Sequence, residues 1–129
     1  MQKDKNKKIT LKELIARKLQ RDEDKLAVKE IFIDSLGGSL LFKKLKNSRI
    51  LQLIDEIEDN KTSEMYQVSV EMIYESCEML QNPELHKKCE IVDPLDIVPA
   101  LISIKEILEI GSQLIEFFGF KEKIEEIKN

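Results

Sequence analysis

Hydrophobic positions recur mostly at intervals of three and four along this chain, a spacing that predicts a protein built mainly of helices. Leu11, Leu14, Ile15 and Leu19 fall on one face of a first helix, with Lys12, Arg17, Lys18 and Arg21 turned toward water. Thr10 and Glu13 have the spacing of a capping box, in which the hydroxyl accepts from the N3 amide and the carboxylate reaches back to the cap's own N–H. This helix is expected to fade near Asp24 or Leu26. The period then shortens. Glu30-Ile31-Phe32-Ile33-Asp34 is rich in β-formers and is answered by Leu40-Leu41-Phe42 across Leu36-Gly37-Gly38-Ser39, which predicts a hairpin over about 29–43. Gly37 and Gly38 are expected to take positive φ together at the centre of a tight turn. An isolated two-stranded hairpin is marginal in water, so one of its faces must pack on helices or on a partner.

The remainder reads as helices of uneven length. Asn47-Ser48 caps a short one carrying Ile50, Leu51, Leu53, Ile54 and Ile57, with a break at Asn60-Lys61. A longer helix is expected over about 63–80, with Met65, Val68, Met72, Ile73, Cys77 and Leu80 inward and Glu64, Glu71, Glu75 and Glu78 outward. Asn82-Pro83 and Asp93-Pro94 each pair a capping side chain with a first-turn proline, where the missing N–H costs nothing. Pro99 fits only within the first turn of the segment that holds Ile97, Val98, Leu101 and Ile102. Ser103 and Glu106 form a second capping box opening a helix through Phe118, and Gly119 closes it as a left-handed cap. Phe120, Ile124 and Ile127 line a final short amphipathic segment. The expected fold class is α+β and mostly α: a helical domain with one hairpin in its N-terminal half and five to six helices. Residues 1–8, Lys-rich and without apolar periodicity, read as a basic flexible tail, and 9–129 as a single domain.

Composition narrows the function. At 129 residues, 42% hydrophobic and 36% charged, the chain can bury a core without disulfides or a structural metal. No apolar run is long enough to span a membrane and the opening residues lack the hydrophobic stretch of a secretory signal, so a cytoplasmic protein with no membrane contact is expected. The net charge of −4 is uneven: residues 1–29 carry +5 and residues 30–129 carry −9. The basic first helix suits a small nucleic-acid-binding regulator, the alternative function. Against it, the acidic body repels phosphates, and two Tyr, five Phe and no Trp offer few stacking platforms.

Candidate chemistry is sparse. His86 and Cys89, three apart on a helix, could face one metal with Cys77 as a third donor, but tetrahedral zinc wants four donors and no further Cys or His exists. The same His86 and Cys89 lack the oxyanion donors and orienting group that thiol catalysis requires. Glu71, Glu75 and Glu78 read as a solvated helix face rather than an acid–base site. Leu36-Gly37-Gly38-Ser39 lacks the lysine and hydroxyl of a phosphate loop. No catalytic, cofactor-binding or metal-binding residue is therefore assigned. What stands above background is apolar surface in need of cover, supplied within the chain, by a second copy or by another protein.

The order of these features resembles the phage tail assembly chaperones of the XkdN-like family, found in contractile-tailed phages, defective prophages and phage-tail-like bacteriocins of Gram-positive bacteria. The likeness is carried by Ile9-Thr10-Leu11-Lys12-Glu13-Leu14-Ile15 with Arg17-Lys18-Leu19-Gln20-Arg21 and by Ser35-Leu36-Gly37-Gly38-Ser39. It continues in Asn82-Pro83-Glu84-Leu85, Asp93-Pro94-Leu95-Asp96-Ile97-Val98, Lys105-Glu106-Ile107, Phe118-Gly119-Phe120 and Glu126-Ile127-Lys128-Asn129. The resemblance implies a non-enzymatic protein of the host bacterial cytoplasm, absent from the mature tail. It would bind the helical tape measure protein, shield its apolar stripes and leave as the tail tube polymerises. Self-association and contact with the tail tube protein are further partners it allows, and a frameshifted longer product is associated with the family. The contact residues expected are Phe32, Leu41, Phe118, Phe120, Ile124 and Ile127, with Thr10, Glu13, Gly37, Gly38, Ser103, Glu106 and Gly119 as caps and turns.

Overall fold

The computed structural model describes residues 6–25 and 27–128. Helix α1 spans Leu11–Lys25, strand β1 Val28–Ile33 and strand β2 Gly38–Lys43, followed by α2 Asn47–Asp55 and α3 Thr62–Ser76. Helices α4 Pro83–Lys88, α5 Ile97–Leu101, α6 Ile104–Phe117 and α7 Lys121–Lys128 complete the chain. The architecture is α+β and mostly helical, with seven α-helices among the described residues and one antiparallel hairpin in the N-terminal half. Most of the basic tail expected over 1–8 lies outside the described residues, as do Leu26 and Asn129.

The hairpin register pairs Ile31 with Leu40 and Phe32 with Ser39, and this alternation sorts the two faces. Ile31, Ile33 and Phe42 point inward and are buried, where β1 meets α6 and β2 meets α3. Val28, Phe32 and Leu41 are exposed. The turn differs from the expected one. Asp34–Leu36 form a single 3-10 turn, and only Gly37 takes a positive φ, of 66°, with its N–H donating to the Ile33 carbonyl at 3.0 Å. Gly38 is already the first residue of β2, paired with Ile33, because one left-handed residue is enough to close a four-residue connection.

The central packing is α3 against α6, with α2, α5 and α7 around the pair. The buried residues form one cluster reaching from Ile31 in β1 to Ile124 in α7. Helix α7, too short to be stable alone, is held by Ile124 and by Lys123, whose ammonium donates to the Ile57 carbonyl at 2.8 Å.

Local signals account for most helix ends. Asn82 and Asp93 accept from Glu84 N–H and Leu95 N–H, Pro99 sits in the first turn of α5, and Gly119 takes φ 100° after α6. Three expectations are corrected. Asn47 is the first residue of α2 rather than its cap, which is Lys46 with no side-chain bond. The helix expected over 63–80 ends at Ser76, because Cys77 is extended and Gln81 folds back to donate to the Tyr74 and Glu75 carbonyls at 2.8 and 3.1 Å. Both capping boxes are half formed. Thr10 and Ser103 accept from Glu13 N–H and Glu106 N–H, but the carboxylates accept from those same hydroxyls instead of from the cap N–H. The Glu106 carboxylate also accepts from the Ser35 hydroxyl and, at 3.2 Å, from Ser35 N–H, tying the hairpin turn to the start of α6.

Candidate interaction surface

Among the described residues, two groups of neighbouring apolar side chains are left uncovered, and each follows from how the core is filled. The inner hairpin face, α3 and α6 complete the core without α1. Leu11, Leu14, Ile15 and Leu19 accordingly stay 54–74% exposed along one side of α1. The stripe that the sequence places on one face of a helix therefore faces outward. Around it stand Lys12, Arg17, Lys18 and Arg21, all exposed, with Lys18 paired to Asp22 one turn on.

The second surface is the outer side of the hairpin. Phe32 is 62% exposed and Leu41 58%, with Val28 beside them and Met79, from the turn after α3, nearby. Between the strands and that turn runs a groove of about 450 Å³ lined by Val28, Glu30, Leu41, Cys77, Glu78 and Met79, among others. Glu30 and Glu78 give its edge a negative charge, partly met by Lys43, which bonds to Glu78.

The expected contact residues divide. Phe32 and Leu41 are on this surface. Phe118 and Ile124 are not, being 4% and 7% exposed within the core, so they are structural residues in this fold. Phe120 and Ile127 are half-buried and packed against the same core. The correction has a simple cause: Gly119 turns the chain so that α7 folds back onto α6 and Ile57, and its apolar side is spent there. Val28 and Met79 were not singled out by sequence reasoning. Met79, seven residues after Met72, keeps the helical period that would point it inward, and it is exposed because α3 ends at Ser76 and Cys77 is extended.

A second cleft, of about 480 Å³, lies where Arg21 and Asp24 of α1 approach Lys44, Leu45, Lys46 and Asn47. Its lining is rich in cations, with Asp24 the one carboxylate among those residues.

Among the described residues no group of three or more His, Cys, Asp or Glu is placed to hold a metal ion. His86 Nε2 lies 2.6 Å from the Leu80 carbonyl, which can only accept, so this nitrogen carries the proton; the ring tilts against Tyr74. Cys77 is buried and its thiol is pushed up by that burial, whereas Cys89 is exposed. The acidic face of α3 is not uniformly solvated, contrary to the sequence reading. Glu71 is half-buried, and burial together with a hydrogen bond to Glu56 raises its carboxyl to about 7. One turn on, Glu75 takes a two-pronged bond from Arg49, at 2.8 Å from Nε and 2.6 Å from Nη2, which raises the guanidinium further. These contacts join α2 to α3 and lie on a different part of the molecule from Phe32 and Leu41.

No described helix is long and apolar enough to cross a membrane. Comparison with protein-family models, with curated proteins and with solved structures finds no match.

Proposed function

We propose that this protein is a phage tail assembly chaperone, acting in the bacterial cytoplasm without making or breaking bonds, whose client is the tape measure protein. The observation that carries this reading is the outer hairpin face. Phe32 and Leu41 are more than half exposed on strands whose opposite face is buried, and the adjoining groove adds Val28 and Met79. A tape measure protein before assembly presents long apolar helix stripes, and a shallow apolar groove with a charged edge covers such a stripe by the helix-in-groove mode. Shallow grooves also suit release, because a cover that polymerising tube protein must displace works best through several modest contacts.

Co-expression with the tape measure protein encoded by the same phage or prophage tests the reading. The expected result is a soluble tape measure that co-purifies with this chain and precipitates when Phe32→Glu and Leu41→Glu are introduced together. A tape measure that stays insoluble beside the wild-type chain counts against it.

The cleft lined by Arg21, Lys44 and Lys46 favours a second reading, a nucleic-acid-binding regulator using the basic α1, in which Arg17 and Lys18 lie outside the cleft and Arg21 lines it. It requires retention on DNA at low salt that is lost on charge reversal at Arg17, Lys18 and Arg21. No retention at low salt removes it.

A further inference from the structure

We infer that α1 is an exchange arm: its apolar stripe lies on the outer hairpin face of a second copy of this chain, so that the protein self-associates through one helix and one groove. The second copy's helix would occupy the same hairpin face as the proposed client and so compete with it, but the association needs this chain alone and is tested without the client.

Three observations lead to it. First, α1 is a fifteen-residue helix whose four large apolar residues are all more than half exposed. A helix of this length is marginal in water without tertiary packing, so it gains stability from a surface that covers the stripe. Second, the outer hairpin face is the complementary shape. It is a shallow apolar strip formed by Val28, Phe32 and Leu41, continued by Met79 into a groove. Neither surface covers the other within one chain, because Leu14 and Ile15 stay as exposed as Phe32 and Leu41.

Third, the charges match. On the α1 stripe Lys18 is paired with Asp22, which leaves Lys12 and Arg21 to meet Glu30 of the groove, where Glu78 is already paired with Lys43. Residues 1–29 carry +5 against −9 for the remainder, although α1 itself, with five cations and four carboxylates, is nearly balanced, so the attraction between copies belongs to the N-terminal segment as a whole. A helix-to-sheet contact of this kind is heterologous in its surfaces. It closes as a two-fold pair when each arm reaches the other's groove, and extends as a chain when it does not.

The test uses the full-length protein alone, by sedimentation velocity over a concentration series. The wild-type chain is expected to assemble beyond the monomer. An arm variant, Leu14→Glu with Leu19→Glu, and a face variant, Phe32→Glu with Leu41→Glu, are each expected to be monomeric. Mixed one to one, they are expected to associate again, because the face variant keeps an intact arm and the arm variant an intact groove. The face substitutions lie on exposed strand positions outside α1, so their effect does not depend on whether α1 stays helical, and circular dichroism confirms that the hairpin variant is folded. Glu30→Lys, which leaves the apolar residues untouched, is expected to weaken self-association at least threefold at low salt. A wild-type chain that remains monomeric at all concentrations overturns the inference. So does a face variant that still assembles, the result expected if α1 pairs with α1, and so does a mixture of the two variants that fails to associate.

Discussion

A Cβ placed on Gly111 of α6 would stand 2.6 Å from the Cβ of Ser69 in α3 and 3.3 Å from its Cα, so the two central helices touch backbone to backbone at this point. Ser69 is fully buried there, and its hydroxyl has no hydrogen-bond partner. Gly111→Ala is therefore expected to destabilise the fold by about 1–3 kcal/mol through overpacking, outweighing the roughly 1 kcal/mol that alanine gains over glycine in a helix. Urea denaturation reads the difference. The cost should shrink in a Ser69→Gly background, because the two substitutions share one contact. Equal costs in both backgrounds would place the close approach elsewhere.

The same contact predicts an opposite effect at its partner. Ser69→Ala removes a buried hydroxyl that finds no acceptor while keeping the Cβ, and is expected to stabilise the protein by about 1 kcal/mol. A loss of stability in thermal or urea unfolding would show that the hydroxyl has a bond worth keeping.

Phe32 and Phe42 separate binding from folding. Both are aromatic residues of one hairpin, but Phe42 is fully buried and Phe32 is exposed. Phe42→Ala is expected to cost about 3–5 kcal/mol, the range for truncating a buried aromatic side chain. Phe32→Ser should stay within about 0.5 kcal/mol of the wild type in stability, as exposed positions do. A Phe32→Ser variant that unfolds like Phe42→Ala would mean that the outer face is part of the core.

Glu71 predicts a pH dependence of defined sign. Burial, and next the hydrogen bond to Glu56, raise its carboxyl from an ordinary 4.5 to about 7, so the folded chain holds a proton that the unfolded chain releases over that interval. Its contribution to stability is thus fully present below about 4.5 and is lost as pH rises through about 7. Glu71→Gln keeps the neutral form at every pH. The variant is expected to match the wild type near pH 4.5 and to melt at a higher temperature than the wild type at pH 8. A melting difference that does not change between these two values would contradict the buried, shared carboxyl.

What the sequence made legible is what short-range chemistry decides. Gly119, Asn82, Asp93 and Pro99 end or begin helices through contacts within a few residues, and each sits where its local signal predicts. The hairpin was legible for the same reason, from alternation and turn residues, although its turn uses one glycine in place of two. Contacts distant in sequence were not legible. Glu106 completes its capping pattern on the hydroxyl and N–H of Ser35, seventy-one positions away, and Glu71 owes its raised carboxyl to burial and then to Glu56, just past the end of α2. Amphipathic periodicity identified the apolar sides of α1 and α7 alike, but it says nothing of what covers them. The core takes Ile124 and leaves Leu14 and Ile15 outside, so the expected contact surface shifts from the C-terminal helix toward the hairpin.

The proposed function requires the outer hairpin face to receive an apolar client helix. Isothermal titration of the full-length chain with soluble segments of the tape measure protein, for the wild type and for Phe32→Glu with Leu41→Glu, measures this. Micromolar binding by the wild type with a negative heat-capacity change, the mark of apolar burial, is expected, with at least a tenfold loss in the double variant. Binding of equal strength by both proteins, or no binding by the wild type to any segment, would contradict it.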